Sequence, residues 1–340
     1  MKATTLKQIA KELNLSVGTI SKALKDYPDI SKKTKKLVQD LAKKLNYIPN
    51  SNAVNLRTHH TKSIGVIIPS LVHYFFSTVV DGILKEAEKQ GYLVILMQSG
   101  ESFELEKKQI DLLIMKGVDG VLISLSNETN NFSHLKKIND YNIPLLLFDK
   151  ISRVFNCSKV RIDDTKAAYD AVTYLINKGY KKIAHFRGGL NPQNSIDRCL
   201  GYRKALLDNN ITYDSSLVYI CKNSSDFEDG YNTAEKLLDE HSDSVDAIFA
   251  VTDVIAIGAL KYFSDHKIEV PKNVAVMGFS NWSMSSLITP TLSSVAQPGF
   301  EMGRKSTEIL IEEIKNHNSN KPYSFQNIVL PTSLVIRNST

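Results

Sequence analysis

The sequence predicts a mixed α/β protein: a small all-helical N-terminal domain, then a large parallel α/β domain built of two lobes. Three observations carry that reading. The first 47 residues repeat apolar side chains at helical spacing, with Thr and Ser at capping positions. From Lys62 onward, short apolar runs alternate with amphipathic segments in two successive sets. The chain, at 340 residues, also exceeds the usual range of one domain.

The elements follow in order. Thr5-Leu6-Lys7-Gln8 has capping-box spacing: the Thr5 hydroxyl can accept from an orphan N–H while Gln8 reaches back. Leu6, Ile9, Ala10 and Leu13 then share one face of a first helix. Asn14-Leu15 makes a short break, and Ser16 caps a second helix with Ile20, Ala23 and Leu24 inward. Ser31 caps a third, packed through Leu37, Val38, Leu41 and Leu45. Two short helices joined by a tight turn and braced by a third form a helix-turn-helix.

Charge sharpens this reading. Residues 1–62 hold thirteen Lys/Arg against four Asp/Glu, or +9; the whole-chain charge of +6 leaves −3 for the other 278 residues. Such asymmetry points to a polyanion partner for the N-terminal piece. A three-helix module that binds protein has the same core pattern, and the charge disfavours it. In a DNA-reading helix-turn-helix the second helix enters the major groove by its N-terminal face, here Val17, Gly18, Ser21 and Lys22. Lys22 can donate to guanine, Val17 can touch a thymine methyl, and Gly18 offers close backbone approach. Ser16, Thr19 and Ser21 suit phosphate anchoring, and Thr5 is counted with them among the DNA-binding residues.

The segment "SNAVNLR" at 51–57 is too polar for a core, yet Ala53 and Leu56 lie three apart and would share an apolar helical face. Seven residues are far too few for a stable isolated helix, so the segment is expected to fold only against something else.

The strand-sized runs of the large domain are Ile64 to Ile68, Leu93 to Met97, Gly120 to Leu125 and Pro144 to Asp149, then Ile183 to Phe186, Leu217 to Cys221, Ala247 to Val251 and Val274 to Phe279. They read as a duplicated open-sheet lobe with a junction near Arg161 to Thr165. Ligands of such sheets sit at the carboxyl ends of the strands, here between the lobes. Ser124 and Asp149 end the third and fourth strands.

Several function classes fall away. No GxGxxG, GxxxxGK[ST] or GxSxG is present, and the glycines of "RGGLNP" have the wrong spacing for a phosphate cradle. The histidines lack metal-ligand spacing, so neither a metal nor a cofactor is expected, and catalysis is not. Cys157, Cys199 and Cys221 are odd in number and scattered, which fits reduced thiols. No apolar run approaches the ~20 residues of a membrane span, and the N-terminus lacks a secretory pattern, so a cytoplasmic protein is expected.

The stretch from "TTLKQIAKELNLSVGTISKALKDYPDI" through "YIPN" to "TKSIGVIIP", continued to "LPTSLVIRNST", resembles the lactose-repressor (LacI) family of transcription factors over essentially the whole chain. That resemblance implies a DNA-binding domain at 1–49, a hinge helix and linker at 50–62, and an effector-binding and dimerisation domain at 63–340 like periplasmic sugar-binding proteins. The first lobe would comprise about 63–161 and 293–322, the second about 162–292 and 323–340. It implies that 51–57 folds on the operator, with Asn50, Ala53 and Arg57 at the DNA and Leu56 wedged into a minor-groove step. For the effector it implicates Phe75, Arg198, Asp253 and Gln297, with Ser124 and Asp149 from the strand ends. His73 stands where the family usually has Asn-Pro before Phe-Phe, Thr252 replaces an Asn, Ser280 a frequent Asp, and Ser225 a frequent aromatic. Trp282 offers a replacement face for a sugar ring or packs at a subunit contact. The expected protein is a dimer that binds a palindromic operator, has no tetramerisation tail, and acts as a repressor under a carbohydrate effector, Arg198 making an anionic ligand plausible. The alternatives are control by a purine or a protein co-effector, or a sugar-binding protein that does not bind DNA.

Overall fold

A computed structural model describes residues 4–47, 60–72, 74–221, 226–241, 244–319 and 321–340. The chain divides into two compact units that meet at Thr61/Lys62.

The first unit holds α1 (Leu6–Leu13), α2 (Val17–Leu24) and α3 (Lys32–Lys44). Each start is made by the residue before it. Thr5 Oγ1 accepts from Gln8 N while Gln8 Oε1 accepts from Thr5 N at 2.8 Å. Ser16 Oγ accepts from Thr19 N at 3.0 Å, and Ser31 Oγ from Thr34 N at 3.2 Å. Asn14 ends α1 in the left-handed region, φ 52°, which an Asn tolerates better than most residues and which turns the chain sharply into α2. Ile9, Ile20, Ala23 and Val38 are fully buried between the helices. Leu37, expected inside, is 53% exposed, and Ala42 is buried instead. The stripe on α3 runs Val38, Leu41, Ala42, Leu45, and Leu37 lies one residue round the helix from it. The segment 51–57 is outside the described residues.

The second unit contains two sheets of six strands. The first includes β1 (Ser63–Ile68), β2 (Leu93–Gln98), β3 (Gly120–Ile123), β4 (Leu145–Phe148), β5 (Ser158–Ile162) and β11 (Asn327–Leu330), in the order β11-β5-β4-β3-β1-β2, all parallel. The second includes β6 (Ile183–Arg187), β7 (Val218–Ile220), β8 (Ala247–Ala250), β9 (Ala275–Ser280), β10 (Ser293–Ala296) and β12 (Ser333–Val335), in the order β12-β10-β9-β8-β6-β7, with β12 antiparallel. β1, β3, β4 and β8 are buried along their whole length, which explains their continuous apolar runs.

Helices cover the sheets: α4 (Tyr74–Lys89), α5 (Phe103–Lys116) and α6 (Ser133–Asp140) in the first lobe, then α7 (Asp164–Asn177), α8 (Gln193–Asp208), α9 (Phe227–His241) and α10 (Asp253–Asp265) in the second. The last helix, α11 (Gly299–Asn318), returns to the first lobe, where it lies on α4 and over β3, β4 and β5. α4 and α11 approach so closely that a Cβ on Gly303 would come within 1.9 Å of the Val79 carbonyl oxygen, and one on Gly82 within 2.1 Å of that of Phe300. Only glycine fits at either position.

Both sheets repeat one order: first strand between second and third, then fourth and fifth outward. Their reversal points are therefore equivalent, between β1 and β3 and between β6 and β8. The chain passes between lobes three times: after β5, after β10 and after β11. This corrects the expected boundaries. Ser293–Ala296 pairs with Met277–Ser280 and belongs to the second sheet, and Asn327–Leu330 pairs with Lys159–Ile162 in the first. "SSVA" and "NIVL" are apolar enough to be strands, but pairing choice is a long-range property that four residues do not encode.

Candidate functional site

On the first unit, Thr5, Ser16, Val17, Gly18 and Lys22 are exposed, with Thr19 and Ser21 half-buried, so the start of α2 presents an open face. Gly18 has no internal reason to be glycine. A Cβ there would meet nothing nearer than Ser16 Oγ at 3.6 Å, while glycine costs a helix about 1 kcal/mol. Ser16 and Thr19 share a hydroxyl hydrogen bond of 2.9 Å, so both serve the cap as well as any outside phosphate. Sequence reasoning missed Asp29, whose carboxylate accepts from Lys22 Nζ at 2.5 Å. Both side chains are half exposed, so the pair is weak and Lys22 can be released to DNA at small cost. Asn50, Ala53, Leu56 and Arg57 lie outside the described residues.

In the second unit the two reversal points face a cleft between the lobes. The first lobe supplies Phe75 at the start of α4, Glu101 after β2, Asn127 after β3, and Asp149 and Lys150 after β4; the second supplies Arg198 on α8, Thr252 after β8 and Ser280 at the end of β9. Gln297, just before α11, lines it where the chain crosses over. The polar throat is tight, about 50 Å³.

Its charges are largely paired. Arg198, 4% exposed, donates from Nε to Asp164 Oδ1 at 2.8 Å and from Nη1 to the Val251 carbonyl at 2.7 Å, and its guanidinium lies 3.6 Å from the Phe279 ring centre. Lys150 Nζ donates to Glu101 Oε1 at 2.6 Å and to Asn127 Oδ1 at 2.7 Å, and Glu101 Oε2 accepts from Asn127 N at 2.7 Å. Burial pushes the Asp164 carboxyl up to about 7, with Arg198 opposing and Asp149 adding to the rise. Burial also raises Asp149, against the pull of Arg198 and Lys150 and the Ser124 hydroxyl, while Glu101 adds to the rise. Two carboxyls thus compete for one guanidinium, which bonds Asp164 and leaves Asp149 the less compensated.

Two features mark the throat as built to meet a ligand. Gln297 Oε1 accepts from Ser280 Oγ at 3.0 Å, while its Nε2 is buried with no partner among the described residues, a donor that costs about 1–3 kcal/mol unless something accepts from it. Ser280 holds φ 111° and Asn281 φ 51°, two consecutive non-glycine residues in the left-handed half of the map.

Asp253 departs from its expected role. It is 1% exposed and accepts from Ser294 Oγ at 2.5 Å, Ser285 Oγ at 2.7 Å and Trp282 N at 2.6 Å, so its carboxylate is used up inside the second lobe. Burial raises its pKa, and the three hydrogen bonds oppose that rise. It fixes the loop after β9. Gly278 makes room for it, since a Cβ there would come within 2.2 Å of Asp253 Oδ1. Ser124 is fully buried beneath Asp149 rather than lining the throat. His73 and Ser225 lie outside the described residues.

Beside the throat, and sharing Phe75, Thr252 and Ser280 with it, is a chamber of about 410 Å³ whose far wall carries Trp282. Glu101, Lys150 and Asn127 were not singled out from sequence. The rule that found Asp149 would have found them, because each follows the carboxyl end of a first-lobe strand. Behind them, buried Glu106 braces the loop after β3, accepting from Ser126 N at 2.6 Å and Thr129 Oγ1 at 2.9 Å and contacting His134 Nε2 at 2.6 Å. Among the described residues no cluster of His, Cys, Asp and Glu could hold a metal ion, and no helix is long and apolar enough to cross a membrane.

Comparison with known proteins agrees with this division. Residues 5–50 match the family described as bacterial regulatory proteins, lacI family, and residues 61–332 match periplasmic binding proteins and sugar binding domain of LacI family. The HTH-type transcriptional regulator RegA of Clostridium saccharobutylicum is 32% identical over 339 residues, covering 99% of both chains. Among solved structures, the transcriptional regulator CelR in complex with cellobiose aligns at TM-score 0.76 and 26% identity, over 99% of this chain and 100% of that one. The lac repressor dimer bound to operator and an anti-inducer aligns at TM-score 0.88 over 99% of both chains, and at 23% identity it speaks to fold alone.

Proposed function

Because the chain belongs to the LacI family of bacterial regulatory proteins, we propose that it is a transcriptional repressor whose hold on a palindromic DNA operator is set by a carbohydrate bound between its lobes. The observation that carries the effector half is the throat at the paired reversal points, where Gln297 Nε2 is buried unpaired beside Asp149 and Arg198. Its cations are committed to Asp164 and Glu101, which favours a neutral polyhydroxylated ligand over the sugar acid that Arg198 alone suggests. The exposed start of α2 on a segment of charge +9 supports the DNA half. A palindrome read twice requires two copies, so the working form is a homodimer. Residues 51–57 then act as the hinge, with Leu56 as the wedge.

Two measurements test this. Thermal unfolding of the full chain is followed against mono- and oligosaccharides, sugar acids, sugar phosphates and purines; a ligand at a hundred times its Kd adds about 2.7 kcal/mol. The effector then changes operator affinity, typically by about 1–3 kcal/mol, and by linkage operator changes ligand affinity by the same factor in the same sense. Stabilisation by purines alone would overturn the carbohydrate reading. Operator affinity unchanged by Leu56→Ala would remove the wedge.

A further inference from the structure

We propose that Asp29 is a specificity-determining residue: Lys22 and Asp29 together read one G·C base pair in each half-site, Lys22 donating to guanine O6 and N7 while Asp29 accepts from the cytosine amino group. This rests on the DNA-binding reading above and specifies how the site is chosen.

Asp29 is out of place on such a module. It is one of only four acids among residues 1–62, against thirteen Lys/Arg, and it is exposed beside Lys22 of α2. A carboxylate on a surface that meets phosphates costs affinity. Stability does not account for it, because the pair is half exposed on both sides and such pairs contribute little. Capping does not either, since Ser31 starts α3. The position of Asp29 is nevertheless fixed. Tyr27 N donates to the Lys22 carbonyl at 3.1 Å and Ile30 N to that of Tyr27 at 3.3 Å. Lys35 Nζ, from α3, reaches the Asp26 carbonyl at 3.2 Å and its carboxylate at 2.7 Å. The turn that carries Asp29 is thus tied to both helices.

The chemistry of the pair identifies what it fits. The hydrogen bond between the two raises Lys22 and lowers Asp29 from their ordinary values, so both are charged at neutral pH. Nζ and Oδ2 stand 2.5 Å apart, a donor beside an acceptor. In the major groove a G·C pair offers the complement: guanine O6 and N7 accept, and the cytosine amino group donates. O6 and that amino nitrogen are bonded to each other, about 2.9 Å apart. The ion pair therefore docks intact. Other base pairs fail at one atom or both. C·G and A·T each set an amino group against the ammonium and a carbonyl oxygen against the carboxylate. T·A has thymine O4 and the adenine amino group in the right order, but lacks N7 on the lysine side and turns adenine N7 toward the carboxylate. Lysine alone discriminates weakly, since every base pair carries acceptors in this groove; the carboxylate supplies the rejection.

Full-length wild type, Asp29→Ala, Asp29→Asn and Lys22→Ala are each used to select sites from random duplex DNA, and the enriched half-site is then varied one base pair at a time in anisotropy titrations. Far-UV circular dichroism checks that the variants are folded. The expected result for wild type is one G·C position per half-site at which any other pair costs at least about fivefold. Asp29→Ala loses most of that discrimination and binds unrelated DNA more tightly, Asp29→Asn, which keeps an acceptor, retains more of it, and Lys22→Ala relaxes the same position. An Asp29→Ala protein that gains affinity equally for all sequences, with every base preference unchanged, would overturn the proposal and leave the DNA-binding reading standing. Relaxation only at a position that is not G·C would overturn it as well. Failure of wild type to enrich any site would sink the DNA-binding reading and the proposal with it.

Discussion

Glu313, on α11, is 2% exposed and takes a hydrogen bond from the Ser158 hydroxyl of β5. Burial pushes its carboxyl from 4.5 up to about 7, with the Ser158 bond opposing and Glu312 adding to the rise. Between those values the folded state holds a proton that the unfolded chain has lost, so this group's contribution to stability falls as pH rises from about 4.5 to 7 and stays low above. Glu313→Gln keeps the shape and the acceptor without the charge. It is expected to match wild type near pH 4.5 and to exceed it by about 1–3 kcal/mol at pH 8, read by urea unfolding at both values. A gain independent of pH would mean that the carboxyl is not the titrating group. Gly18 makes the opposite kind of test. Gly18→Ala meets only Ser16 Oγ at 3.6 Å and should stabilise α2 by about 0.5–1 kcal/mol while weakening operator binding several-fold, because the methyl would stand on the exposed face proposed to enter the groove. Unfolding and DNA-binding anisotropy on one sample separate the two effects; a stabilised variant with full affinity would place Gly18 away from the DNA. Residue roles were legible where chemistry is local: Thr5, Ser16 and Ser31 are caps, whereas the position of Arg198 and Gln297 on the throat followed from the family resemblance and only that of Asp149 from its strand end. The internal bonds of Asp253 were not legible because its partners Ser285 and Ser294 are 32 and 41 residues away.

At the scale of elements, the α4–α11 crossing is among the tightest helix contacts described. Gly303→Ala puts a methyl where Val79 O already sits, so the helices must separate or shift. The expected cost is about 1–3 kcal/mol or more, with a lower urea midpoint and an unchanged slope. A neutral outcome would mean that the two helices slide easily past each other. That Gly82 and Gly303 face each other across a gap in sequence is invisible in a helical pattern, which shows only which side is apolar. The same limit explains Ser293–Ala296. Strand existence follows from composition, but membership of one sheet or the other follows from which edge the chain reaches. The repeated strand order was half legible: two sets of four runs indicate duplication, and the second-first-third order inside each does not appear in any local signal.

For the whole molecule, the +9 of residues 1–62 against −3 elsewhere makes DNA affinity an ionic matter. If a dimer neutralises six to ten phosphates, operator affinity should fall by about 10³–10⁵ between 50 and 200 mM salt, read from the slope of log affinity against log salt. A shallow slope would mean that the lysines of α3 face solvent rather than backbone.

The three passages between lobes have a consequence for how the protein is made. The first sheet opens with β1 and closes only with β11, and its helix α4 has no glycine partner until α11 exists. On the ribosome, the first lobe must therefore wait, with the β5 edge unpaired and the α4 groove bare, while the whole second lobe is synthesised. The last forty or so residues complete both halves together. Nascent chains stalled before Gly299 should accordingly be the form that chaperones hold and proteases cut, and release of the C-terminus should be the event that ends both.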